Sequence, residues 1–231
     1  MNHSEKITFS IAGLFHYHNY LRFLAEDNAI EKVYFSHRIG SLGELRADLR
    51  CNLALKEYLM YAHIRLLGAN SAFRWMNLYN QAWRLQSGAY FAPSRLNLVL
   101  LQGNSHHIFK RIRNEGCVSI GEAVNAHPTA LKSILSDDAK LHGVEPFWSD
   151  SIYSAKLSEL DLVDYILCPS RFVASSYISA GFAPDKVLTI PYGSTSTLAN
   201  KGLPRFDFAK DKRAAKIIVV GQVFPRKGQY H

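Results

Sequence analysis

Two neighbouring cations, Arg226 and Lys227, lie in a loop that follows an apolar, β-branched run ending in Gly221. A parallel strand that meets a ligand at its carboxyl end has this form, so the loop that begins at Gln222 is a candidate for holding an anion. Three other polar loops follow apolar runs. Gly13 and His16 come after residues 7–11, His106 and His107 after residues 97–101, and His127 precedes Pro128 after residues 117–120. Two adjacent histidines are not the i, i+4 pair that a helix offers to zinc. Cys51, Cys117 and Cys168 form no C-x-x-C pair, so no metal site is expected.

The elements that must carry these loops alternate. Residues 7–11 and 32–36 read as strands with a helix at 20–25 between them. Residues 42–87 are long, helix-rich and aromatic. There Ala72, Trp75, Met76, Tyr79 and Trp83 form a stripe at helical spacing, with Arg74, Asn77, Asn80, Gln81 and Arg84 opposite. The stripe has two readings: core packing, which is the commoner use, or docking on anionic lipid with Arg74 and Arg84 at head-group level. Residues 97–101 form another strand. A helix follows over 108–115 and ends at Gly116, which suits a left-handed cap. Residues 117–120 form the next strand, with Glu122 in its loop, and a helix runs over 129–139.

The clearest unit lies between Asp164 and Gly193. Residues 165–168 are a strand, Ser170 can cap a helix through Ala180, Gly181 stops that helix, and residues 186–190 are a second strand. Strand, helix and strand at this spacing form one right-handed parallel crossover. Residues 194–214 hold no sustained apolar period and read as a linker. The strand at 216–221 has no helix behind it to close a βαβ unit, so it reads as the start of a second domain. The fold class is therefore α/β: a doubly wound parallel sheet over 1–193, the linker, and the truncated start of a second domain over 215–231. No G-x-G-x-x-G follows the first strand, which argues against an ordinary dinucleotide site.

Composition narrows the class. With 48% apolar residues the chain is neither disordered nor, lacking any uninterrupted run of about 20, a candidate for crossing a membrane. The N-terminus shows no signal-peptide apolar region, and an odd number of scattered cysteines suits reduced thiols, so a cytoplasmic location is expected. The net charge of +8 comes almost wholly from residues 38–113, where Glu44, Asp48 and Glu57 alone oppose eleven bases. A basic face attracts phosphate on lipids, nucleotide sugars or nucleic acid. No nucleic-acid-binding motif accompanies the charge, so a nucleic-acid partner is not expected.

The succession Leu162-Val163-Asp164-Tyr165-Ile166-Leu167-Cys168-Pro169-Ser170-Arg171-Phe172, then Gly181-Phe182, Lys186-Val187 and Ile190-Pro191-Tyr192-Gly193, resembles group 1 (family 4) glycosyltransferases, of the GT-B type. Val219-Val220-Gly221 followed by Arg226-Lys227-Gly228 resembles the first strand and loop of that family's second domain. The resemblance implies two Rossmann-like domains facing across a cleft. The first would hold a glycan or lipid-linked acceptor, and the second a nucleotide-sugar donor. It implies transfer with retained configuration and neither metal nor cofactor. Lys227 falls at the position that contacts the donor diphosphate, where a cation answers the charge growing on the leaving group. Arg226, Gln222 and Gly221 accompany it, and Gln222 stands where many members carry arginine. His127 resembles the histidine that reaches the transferred sugar, and Gly13 and His16 match the loop lining the cleft. Ser194-Thr195 depart from the usual Val-Asp-like pair. The family's glutamate pair, which addresses the donor sugar, does not appear.

The expected function is thus the acceptor half of a glycosyltransferase, as a fragment or split form, inactive alone, in polysaccharide or lipid-linked glycan assembly. The alternative is a non-catalytic carbohydrate-binding module or partner subunit that needs a separate donor-binding chain.

Overall fold

A computed structural model describes residues 5–13, 15–17, 20–37, 42, 45–68, 75–144 and 149–192. Gly193, the linker at 194–214 and the segment at 215–231, with Gly221, Gln222, Arg226 and Lys227, lie outside the described residues.

Seven parallel strands form one sheet in the order β3-β2-β1-β4-β5-β6-β7. They are β1 (Ile7–Ile11), β2 (Ile30–Phe35), β3 (Arg50–Asn52), β4 (Leu96–Leu100), β5 (Val118–Glu122), β6 (Tyr165–Cys168) and β7 (Val187–Thr189). Among the described residues seven α-helices accompany them: α1 (Leu21–Glu26), α2 (Leu55–Leu67), α3 (Met76–Tyr90), α4 (His106–Asn114), α5 (Pro128–His142), α6 (Asp150–Leu160) and α7 (Arg171–Ser179). Numbering runs outward from β1 to one edge and from β4 to the other. The order reverses between β1 and β4, and a ligand crevice opens beyond the carboxyl ends at such a point.

Alternation along each strand assigns the two faces. Phe9, Ile11, Val33, Phe35, Leu98 and Leu100 pack on one side with Leu21 of α1. Ala12, Tyr34, Val99, Leu101 and Ile166 pack on the other with Trp83 of α3, Ile108 and Phe109 of α4, Leu160 of α6 and Val173 of α7. Burial on both faces makes these strands read as apolar runs, and it makes the sheet doubly wound. Gly116 has φ 66°, as its place after α4 predicts. Ser170 accepts a hydrogen bond from Val173 N at 3.3 Å and so caps α7.

Three local readings are corrected. Arg50–Asn52 form a strand that no apolar pattern announces. It is an edge strand held by its ladder to β2 and by Asn52, whose side-chain amide accepts from His37 N at 3.1 Å and donates to His37 O at 2.9 Å. Helix α6 also escapes the pattern, because it turns Glu159 inward along with Tyr153 and Leu160. Glu122 ends β5 rather than lying in the following loop. Within the aromatic stripe, Tyr79 and Trp83 are core residues, as packing requires, whereas Trp75 is half exposed.

Gly121 of β5 is closely packed on its side-chain side. A Cβ there would lie 2.8 Å from Leu101 Cδ1 and 2.9 Å from Val163 Cγ2. Overpacking of this kind costs about 1–3 kcal/mol. Gly121→Ala is therefore expected to lower the thermal midpoint by several degrees, and Gly121→Val by more. A midpoint unchanged in Gly121→Val would contradict the packing.

Candidate functional site

A polar cavity of ≈ 510 Å³ lies at the switch point. Gly13 and Phe15 after β1 line it, together with Gln102, Gly103 and Asn104 after β4 and Asn125 after β5. Helix α2 contributes Lys56 and Glu57, α3 contributes Asn77 and Asn80, and α6 contributes Lys156. Two glycines permit this shape. A side chain at Gly13 would strike the Phe15 ring at 2.8 Å. Gly103 has φ 85° and lies so close to α6 that a Cβ would sit 3.2 Å from Ala155 Cβ.

The cavity holds two lysines from different elements and one carboxylate. Lys56 Nζ lies 2.9 Å from Glu57 Oε1 and 3.4 Å from Ala12 O, and Ser36 Oγ donates to the same Glu57 oxygen at 2.8 Å. Burial lowers the affinity of Lys156 for its proton, against an opposing pull from Glu159. Glu159 lies behind the cavity wall, fully buried, and accepts from Gly103 N at 2.8 Å and Ser105 N at 2.5 Å. Burial raises its carboxyl to about 7, although those N–H groups and Lys156 favour the charge. Glu159 therefore pins the loop whose residues line the cavity.

Next to this lies a carboxylate–imidazole pair. Glu122, 2% exposed at the carboxyl end of β5, accepts from His16 Nε2 at 2.6 Å and from the Tyr17 hydroxyl. The His16 ring stacks on Tyr17 with centroids 4.9 Å apart and meets Tyr192 at 3.9 Å. Burial, and then the Glu122 charge, push the Tyr17, Tyr20 and Tyr192 hydroxyls above their ordinary range, so they remain protonated donors. In the neutral tautomer that gives its Nε2–H to Glu122, Nδ1 of His16 carries the lone pair. Gly13 and Phe15, just before His16, line the polar cavity. Its partners Glu122 and Tyr192 line a second, apolar cavity of ≈ 360 Å³ with Phe9, Leu98 and Ile190.

The other candidate histidines stand apart. His127 is the N-cap of α5 and 7% exposed; its Nδ1 accepts from Thr129 N at 3.3 Å and its ring edge meets Tyr177 at 5.3 Å. Like His16 it lines neither cavity, but no carboxylate among the described residues holds its ring, and burial pushes its imidazole below the ordinary range. His107 is lowered to about 4, chiefly by burial, with its Nε2 2.7 Å from Ser87 Oγ. That hydroxyl already donates to Trp83 O, so Nε2 is the donor, and His107 is a neutral packing residue.

The structure thus brings Gly13 to a cavity and His16 to a carboxylate, and it adds Glu122, Lys56, Lys156 and Glu159. For Glu122 the available signal is an acid directly after Val-Ser-Ile-Gly at a strand end. Nothing local separates Lys56, Lys156 or Glu159 from ordinary helix-surface charges.

No protein family and no curated protein matches the chain in sequence. Among solved structures it is similar to Phytolacca americana UGT2 complexed with UDP-2-fluoro-glucose and pterostilbene, at TM-score 0.46 and 11% identity over 87% of this chain and 57% of that one. It is also similar to TcCGT1 in complex with UDP, at TM-score 0.46 and 11% identity over 95% and 54%. A UDP-glucosyltransferase from Polygonum tinctorium capable of glucosylating indoxyl, solved with 3,4-dichloroaniline, matches at TM-score 0.42 and 13% identity over 89% and 56%. The chain spans little more than half the length of each.

Proposed function

We propose that this chain is the acceptor half of a glycosyltransferase that uses a nucleotide-sugar donor. The observation that carries the reading is His16, held by the buried carboxylate of Glu122 and directly following Phe15, which lines the switch-point cavity. The sequence likeness at residues 162–193 points the same way.

In this reading the acceptor lies in the polar cavity. Asn77, Asn80, Gln102 and Asn125 supply the paired donors and acceptors that sugar hydroxyls need, and Lys56 and Lys156 receive an anionic group on the acceptor. His16 Nδ1 takes the proton of the attacking hydroxyl as oxygen bonds to the anomeric carbon, and the nucleoside diphosphate leaves with the electron pair of the broken glycosidic bond. Glu122 stabilises the resulting imidazolium. A base on the acceptor side suits direct displacement with inverted configuration, rather than the retention that the sequence likeness implies. Arg226 and Lys227, with Gln222 and Gly221, would belong to the donor side. His127 is assigned to helix capping.

The test is acceptor-dependent release of a nucleoside diphosphate when this chain is joined, in cis or in trans, to a donor-binding domain. His16→Ala is expected to lower that turnover at least about 100-fold with the sheet intact. Lys56→Met combined with Lys156→Met should chiefly raise KM for a phosphorylated acceptor, by about tenfold or more. NMR of the product anomer reads the stereochemistry. Turnover unaffected by His16→Ala would sink the reading.

A further inference from the structure

The hairpin of α2 and α3 carries an apolar surface that the core does not use. Lys56 is the one buried residue of α2, and the helix lies against α3. Leu59, Ile64 and Leu66 of α2, and Leu78 and Leu85 of α3, are exposed, with Leu66 at 79% and Leu85 at 72%. Trp75 at the start of α3 is 50% exposed, and Tyr58 and Tyr61 present amphipathic rings beside the leucines. Exposed leucines concentrated on two packed helices point to an interaction site.

Its charge selects the partner. Between Ala54 and Tyr90 the one acidic residue is Glu57, which is ion-paired to Lys56 at the cavity and is therefore not part of the outer face. Arg65 of α2 and Arg84 of α3, each next in sequence to an exposed leucine, are exposed. The adjoining helix α4 adds Lys110, exposed, and Arg111, which reaches Gly88 O of α3 at 3.3 Å and pairs with Glu115 at 3.0 Å. Exposed leucines and tyrosines with arginines and no free acid suit the head-group boundary of an anionic bilayer, where rings sit at the interface and each arginine is attracted to lipid phosphate. The same positive charge opposes pairing of two copies through this face. Among the described residues no helix is long and apolar enough to cross a membrane, so the attachment would be peripheral.

We propose that the α2–α3 hairpin docks this protein on an anionic lipid surface, with the leucines inserted at the acyl boundary and Arg65 and Arg84 on the lipid phosphates. This goes beyond the catalytic reading and does not depend on it.

The experiment is co-sedimentation of the chain with phosphatidylcholine vesicles with and without phosphatidylglycerol, across a salt series. Binding is expected only with the anionic lipid and should weaken as salt rises. Leu66→Glu with Leu85→Glu should lower the partition about tenfold or more, and so should Arg65→Glu with Arg84→Glu, with far-UV circular dichroism unchanged because all four side chains are exposed. Equal binding to both vesicle types, or wild-type binding by both double variants, would overturn the proposal. So would a dimer in sedimentation velocity that Leu66→Glu dissolves, because the face would then belong to a second copy.

Discussion

Glu122→Gln should reduce glycosyl transfer on the order of 10²–10⁴-fold while leaving the fold nearly unchanged. Glutamine has the same shape, and its carbonyl can still accept from the Tyr17 hydroxyl. Its amide cannot accept from His16 Nε2, which lies 2.6 Å from Glu122 Oε1. The imidazole must then turn its Nε2 lone pair toward the amide and carry its proton on Nδ1, the nitrogen assigned to deprotonate the acceptor. Turnover should fall with little change in KM, and the limb of the pH profile that reports the base should shift. Glu122→Ala would add a stability loss of about 1–3 kcal/mol, because the buried Tyr17 hydroxyl would lose its carboxylate acceptor. Full turnover by Glu122→Gln would remove His16 from the chemistry, although it would say nothing against the lipid-docking face.

Glu159 should make the protein less stable as pH rises from about 4.5 to about 7. Its carboxyl is raised from 4.5 to about 7 in the folded protein, chiefly by burial. Between those values the folded chain holds a proton that the unfolded chain has released, and the unfolded form is therefore favoured as pH increases. The group's stabilisation is complete below about 4.5 and lost by about 7, a change on the order of 3 kcal/mol at about 1.4 kcal/mol per unit. Glu159→Gln does not titrate, so subtracting its midpoint-versus-pH curve from that of the wild type isolates the effect. Parallel curves for the two proteins over pH 4.5–7 would show that Glu159 does not change its proton on unfolding.

The parallel sheet was legible because strands buried on both faces leave short apolar runs, and polar or glycine-containing loops punctuate them. Residues 165–168 and the Ser170 cap are readable for this reason. β3 was not, because an edge strand of Arg50, Cys51 and Asn52 is fixed by backbone pairing rather than by burial. Gly13 could be placed at the cavity, because it closes an apolar strand at the switch point. The partner of His16 could not be found in the same way. His16 and Glu122 are 106 residues apart, and only the strand order brings the loop after β1 to the end of β5. Lys156 and Glu159 were invisible for a related reason. One turn of α6 faces two ways, toward the cavity and toward the Gly103 loop, and local periodicity cannot tell an inward carboxylate from a solvated one.

Helix α2 spans 13 residues, a rigid rod of about 20 Å. Lys56 and Glu57 stand at its inner end against the cavity, and Leu66 and Leu67 at its outer end in solvent. One element therefore carries residues of both surfaces, with Lys56 and Leu66 about 15 Å apart along its axis.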